Sequence, residues 1–104
     1  MANDYISNPI LIDTAFSEGW KAEVAATLGS PLTLMVTKVE WYKPVTIGDQ
    51  VKILDTSQAS TDLLDFTCET ALQSQVMDWT ARPILWRDFQ VTQIDSGVLK
   101  IWYA

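Results

Sequence analysis

An alternation of mainly apolar and mainly polar positions over 64–72 constrains the fold of this chain more than any other feature. The residues that share one side of this alternation are Leu64, Phe66, Cys68, Thr70 and Leu72. Successive side chains of a β-strand point to opposite faces, so the spacing predicts a strand with one face in a core and the other in solvent. We therefore expect β-structure to organise the domain.

Other short apolar segments, separated by turn residues, predict further strands. They span positions 10–15, 32–43, 51–55, 76–80, 89–94 and 98–103. Apolar residues at both odd and even positions of 32–43 predict a strand that is covered on both faces. Turn residues at 47–49 and at 95–97 predict two hairpins, one joining 32–43 to 51–55 and one closing the sequence.

The segment 16–30 has a different period. Phe16, Trp20, Val24 and Leu28 recur every four residues, which predicts a short amphipathic helix, and Gly19 inside the segment leaves an irregular crossing loop as the alternative. About seven short strands with at most one short helix predict an all-β protein. We expect one domain over residues 1–104, an antiparallel β-sandwich of jelly-roll or immunoglobulin-like type.

Charge and composition exclude several classes of function. Thirteen acidic residues against seven basic ones give a net charge of -6, so we expect no nucleic acid partner. The chain has no histidine, which removes imidazole bases and histidine-ligated metals. Cys68 is the only cysteine, so no intrachain disulfide can form. No apolar run reaches the roughly 20 residues that cross a bilayer, so we expect no membrane partner.

Carboxylates are the abundant ionisable groups, and they leave one enzymatic alternative. Asp62 with Asp65, or Asp49 with Asp55, could supply the acid and the base of a small glycoside hydrolase if a cleft joined them. Acidic residues beside turns more often stabilise the turn itself. We therefore predict a protein that is not an enzyme, with no catalytic residue, no cofactor and no metal.

Tryptophan is unusually abundant, with five indoles in 104 residues. Each ring can bury about 150 to 250 Å², which is much for so small a core. Aromatic residues are also enriched at protein contacts. We therefore predict that part of this ring surface serves an interface, and the candidates are Trp20, Trp86, Trp102 and Tyr103.

Three segments of the chain form a recognisable pattern. The first is Ile-Asp-Thr-Ala at 12–15, after a short polar start. The second is the aromatic stretch 39–43 followed by Gly-Asp and an apolar strand at 48–53, and the third is the closing segment 89–103. Together they resemble the small all-β structural proteins of tailed bacteriophages, the capsid decoration or cement type. The likeness does not extend over 16–30, which is longer than the pattern requires.

The resemblance implies a non-enzymatic virion protein that decorates the phage head and bridges coat subunits. Its expected partners are the major capsid protein and other copies of this chain, and its expected location is the virion, after synthesis in the bacterial host cytoplasm. A net negative charge suits a protein that coats a particle without binding the packaged genome. The alternative is a tail-associated minor structural protein or a glycan-binding module.

Overall fold

The computed structural model describes residues 3–16, 19, 20, 22, 24, 34–55 and 61–103. Eight strands lie within these residues, and every paired strand runs antiparallel to its neighbour. They are β1 (Ile10–Ile12), β2 (Leu34–Tyr42), β3 (Gln50–Asp55), β4 (Thr61–Thr67), β5 (Gln75–Asp78), β6 (Ile84–Trp86), β7 (Gln90–Ile94) and β8 (Val98–Tyr103).

The strands form two sheets. The large sheet has the order β1-β8-β2-β5, and β6 also pairs with β2, alongside β5. The small sheet has the order β4-β3-β7. This arrangement confirms the predicted all-β, antiparallel sandwich. The sequence pattern missed β6, which is only three residues long and follows Pro83.

The central strand β2 contains an irregularity that the sequence analysis did not predict. Its pairing with β8 shifts register between Val36 and Lys38, so Thr37 is an extra residue on β2. The shift places Leu34, Val36, Val39 and Trp41 on one buried face. The expectation of a strand covered on both faces was therefore wrong. The apolar residues change from even to odd positions because a bulge intervenes.

Both predicted hairpins are wrong, because their strands belong to different sheets. β2 lies in the large sheet and β3 in the small one, and the same is true of β8 and β7. The turn at 95–97 is a corner between sheets. The Trp41 indole N–H donates to the Ser96 carbonyl over 2.8 Å, and the Gln50 N–H donates to the Asp95 carboxylate over 2.8 Å. These bonds tie the corner to β2 and β3 instead of pairing β7 with β8.

The alternation over 64–72 is realised only in part. β4 ends at Thr67, and Cys68 is the last buried residue of the pattern. Leu72 is 61% exposed and adopts a positive φ of 63°, so it lies in a turn beyond the strand.

Most of the segment 16–30 lies outside the described residues. Trp20, Ala22 and Val24 have helical backbone, and Trp20 and Val24 are buried. The bounds of the predicted helix therefore lie outside the described part of the chain. Among the residues that the structure describes, no helix is long and apolar enough to span a membrane.

Buried residues from both sheets form one apolar cluster. No polar or charged side chain is fully buried among the described residues. Trp41 and Phe89 are completely buried, and the Trp41 ring stacks on Phe66 at a centroid distance of 6.5 Å. The core therefore lies between the two sheets and leaves their outer faces to solvent.

Candidate interaction surface

Trp20 and Trp86 are covered within the chain, contrary to the expectation that they face a partner. Each is 2% exposed. Both rings pack against Phe89, with centroids 6.2 Å and 5.3 Å away. The Trp20 indole N–H also donates to the Tyr5 carbonyl over 2.9 Å. These intramolecular contacts leave almost no ring surface for binding, so we leave both residues out of the candidate surface.

Tyr103 is half-buried, and its polar groups fasten the end of β8. Its hydroxyl donates to the Ile6 carbonyl over 2.8 Å. The Asn8 side chain accepts from the Tyr103 N–H over 3.2 Å and donates to the Tyr103 carbonyl over 2.7 Å. The Asn8 side-chain amide thus pairs with the Tyr103 backbone as the backbone of a neighbouring strand would. These intramolecular hydrogen bonds give Tyr103 a structural role at the end of β8.

Trp102 lies on the opposite side of β8, on the outer face of the large sheet. We define this outer face by the side chains that point away from the core on four adjacent strands. They are Leu11, Met35, Lys38, Glu40, Tyr42, Val76, Asp78, Val98, Lys100 and Trp102. Tyr42 is 37% exposed and Val76 is 45% exposed, whereas Trp102 is half-buried.

The lysines of the outer face lie over its aromatic rings. The Lys38 ammonium is 4.7 Å from the centre of the Trp102 ring, and the Lys100 ammonium is 4.1 Å from the centre of the Tyr42 ring. The Lys43 ammonium lies 5.3 Å from the same tyrosine ring. Such contacts are worth about 0.5 to 1 kcal/mol at exposed sites. They hold rings and cations in a defined arrangement on the surface.

Each lysine that lies on a strand of the outer face also has an acidic residue opposite it on the neighbouring strand. Lys38 is paired in register with Asp78, and Lys100 with Glu40. The pKa of Asp78 is lowered, because the Thr80 hydroxyl and backbone N–H donate to its carboxylate and the charge of Lys38 adds to their effect. The four charges of these pairs sum to zero, and Lys43 beside Tyr42 adds one positive charge at the end of the face.

A second exposed surface lies on two neighbouring loops, and we call it the apical patch. It consists of Val45, Ile47 and Leu72, which are 57%, 68% and 61% exposed. The Leu72 N–H donates to the Pro44 carbonyl over 2.7 Å, so the two loops are tied together. No sequence pattern predicted this patch, because single apolar residues in turns give no periodic signal.

Two surface depressions are lined by residues other than the carboxylate pairs of the enzymatic alternative. One, of about 270 Å³, is lined by Ala15, Phe16, Val91 and Thr92. The other, of about 190 Å³, is lined by Glu69, Thr70, Gln73 and Gln75, and so has a single carboxylate. Across the described residues, no three Cys, Asp or Glu side chains come together as a metal site would require.

Comparison with protein-family models, with curated proteins and with solved structures finds no match to this chain. The likeness to phage decoration proteins therefore stays a prediction. Function has to be inferred from the two exposed surfaces themselves.

Proposed function

We propose that this chain is a non-enzymatic structural protein of a tailed-phage virion, a decoration or cement subunit that stabilises the head by bridging coat subunits. The observation that carries the proposal is the outer face of the large sheet. Trp102, Tyr42 and two lysines are held there in a fixed pattern on rigid strands. Aromatic anchors with a polar surround are typical of protein interfaces.

A bridging subunit needs at least two separate contact surfaces, one for each neighbour. This chain offers the outer face, which belongs to β1, β8, β2 and β5, and the apical patch, which belongs to two loops. Val45, Ile47 and Leu72 are large aliphatic side chains that gain free energy when a partner removes them from water, at about 25 cal/mol per Å². The two surfaces support a role in assembly.

We do not propose a glycan-binding function, because of the positions of the lysines. Sugar recognition by aromatic residues uses an open ring face. The Trp102 ring has the Lys38 ammonium 4.7 Å from its centre, and the Tyr42 ring has the Lys100 ammonium at 4.1 Å. A sugar would have to displace these cations, whereas a protein partner can contact ring edges and cations together.

The proposal is tested by co-sedimentation of the purified chain with empty shells assembled from the coat protein of the same virion module. We expect the wild-type chain to bind, and Trp102→Ala to weaken attachment by about 2 kcal/mol or more, which is roughly 30-fold in affinity. Lys52→Ala is the matched control, since it truncates a long, half-buried side chain on the central strand of the small sheet. We expect the control to bind like wild type.

Circular dichroism of both variants shows whether they are folded. Failure of the wild-type chain to bind any shell would contradict the cement function. Equal binding of folded Trp102→Ala and wild type would contradict the role of Trp102 while leaving the apical patch to be tested by Ile47→Asp.

A further inference from the structure

One row of the outer face has a symmetric pattern about the line between β2 and β8. The row that crosses all four strands reads Val76, Glu40, Lys100 and Leu11, from β5 through β2 and β8 to β1. Its two ends are apolar, and its two central residues have opposite charges. A pattern of this kind is complementary to itself.

We infer that the outer face binds the same face of a second copy of this chain, forming a twofold-symmetric dimer. A twofold axis that runs along the strands, above the line between β2 and β8, places β2 of one copy over β8 of the other. Glu40 then faces the Lys100 of the second copy, and Val76 faces its Leu11. Each contact occurs twice, as in all isologous interfaces.

The adjacent rows fit the same axis. Lys38 is paired with Trp102 on the neighbouring strand, so the axis places Lys38 over the Trp102 of the second copy. Tyr42 is paired with Val98, and it meets the Val98 of the second copy. Each pair between β2 and β8 within one copy is thus repeated between the two copies.

The overall charge of the chain favours this face for self-association. The net charge is -6, so most approaches of two copies are repulsive. The charges of Lys38, Lys100, Glu40 and Asp78 cancel, and Lys43 at the end of the face is positive. Two copies that meet at the outer face therefore avoid the repulsion between acidic surfaces. Bound in this way, each copy still presents its apical patch to a coat subunit.

The size of the face sets the expected strength. The strands lie about 4.8 Å apart, with five residues along β2 and β8, four along β5 and three along β1, which gives roughly 300 Å² per copy. Standard stable interfaces bury about 800 Å² per partner. We therefore expect a weak dimer that dissociates on dilution over micromolar concentrations, a range accessible to analytical ultracentrifugation.

The experiment uses two charge reversals, Glu40→Lys and Lys100→Glu, measured alone and mixed. Each reversed chain alone puts like charges across the twofold axis, and we expect its dimerisation to weaken at least tenfold relative to wild type. In the mixture, the Glu40→Lys chain has lysine at both positions 40 and 100, and the Lys100→Glu chain has glutamate at both positions. We expect the mixed pair to associate at least as strongly as wild type.

The matched controls are Lys52→Glu and Asp65→Lys. They make the same changes of charge sign at two residues that lie opposite each other on neighbouring strands of the small sheet. Each control should dimerise like wild type, and mixing the two controls should add nothing. Circular dichroism shows that each chain is folded before it is mixed. Each chain has the same sequence alone and in the mixture. Recovery on mixing therefore reports contact between the two chains and not a change in the folding of either one.

Three results would overturn the inference: a wild-type chain that stays monomeric up to about 1 mM, reversed chains that dimerise like wild type, or a mixture that stays monomeric. The assay needs no particle, so its failure is distinct from failure of the proposed function. A monomeric chain that nevertheless loses shell attachment on Trp102→Ala would assign the outer face to a coat subunit.

Discussion

Substitution of Gly97 by alanine tests whether the corner between the two sheets is rigid. Gly97 has a φ of +72°, and a Cβ at this position would lie 2.6 Å from the Tyr42 carbonyl oxygen and 3.1 Å from the Pro44 nitrogen. Both atoms are backbone, so neither can rotate away. The left-handed backbone costs an alanine about 1 to 2 kcal/mol, and forced overlap in a packed site adds about 1 to 3 kcal/mol. We expect Gly97→Ala to lose about 2 to 5 kcal/mol of unfolding free energy.

Gly48→Ala separates the two contributions. Gly48 also has a positive φ, of 96°, but a Cβ there would meet nothing within 4 Å. We expect this control to lose only the backbone contribution, about 1 to 2 kcal/mol. The difference of about 1 to 3 kcal/mol predicts a Tm for Gly97→Ala that is roughly 5 to 20 °C below that of Gly48→Ala.

Urea unfolding followed by tryptophan fluorescence measures both variants, and thermal unfolding by circular dichroism checks the order. Equal losses in the two variants would refute the reasoning. That result would mean that the corner moves to accommodate a methyl group, and that the contact between Gly97 and the Tyr42 carbonyl does not constrain the path from β7 to β8.

Three further predictions follow from the described contacts. Deletion of Thr37 should leave a folded protein, because it removes the extra residue of the bulge. Deletion of Glu40 should abolish folding, because it moves Trp41 from the buried face of β2 to the solvent face. Circular dichroism measures whether each variant is folded. Asn8→Ala removes both side-chain hydrogen bonds to the end of β8 and should cost about 1 kcal/mol in urea unfolding, and an unchanged midpoint would contradict this. The lowered pKa of Asp78 gives stability that is present above the ordinary aspartate pKa of 3.8 and is lost as pH falls through the folded pKa. Asp78→Asn or Thr80→Ala should therefore lose stability at neutral pH but show a weaker acid dependence, measured by urea unfolding at several pH values.

The fold class was predictable from the sequence because it depends on local periodicity. The segment around Leu64 and Phe66 alternates with period two, and such a pattern has few structural solutions. Sheet membership was not predictable in the same way. Asp95-Ser96-Gly97 has the composition of a hairpin turn, but its hydrogen bonds go to Trp41 and Gln50, which lie far away in sequence.

The candidate site was predictable only at Trp102. An abundance of tryptophan predicts unusual ring surface, but burial decides which rings remain available, and burial depends on tertiary contacts. Trp20 and Trp86 pack on Phe89, a residue that no pattern linked to them. Tyr42 was not predicted, because its position on the outer face depends on a bulge that the sequence pattern does not reveal.

The bulge at Thr37 produces the core and the candidate surface together. Without it, Leu34 and Val36 would share a face with Lys38, Glu40 and Tyr42, because all five have the same parity. With it, the two aliphatic residues point into the core while the three polar and aromatic residues point outward. Bulges often re-aim side chains at functional positions. The irregularity that made β2 hard to interpret from sequence is therefore what gives the outer face its charged and aromatic rows.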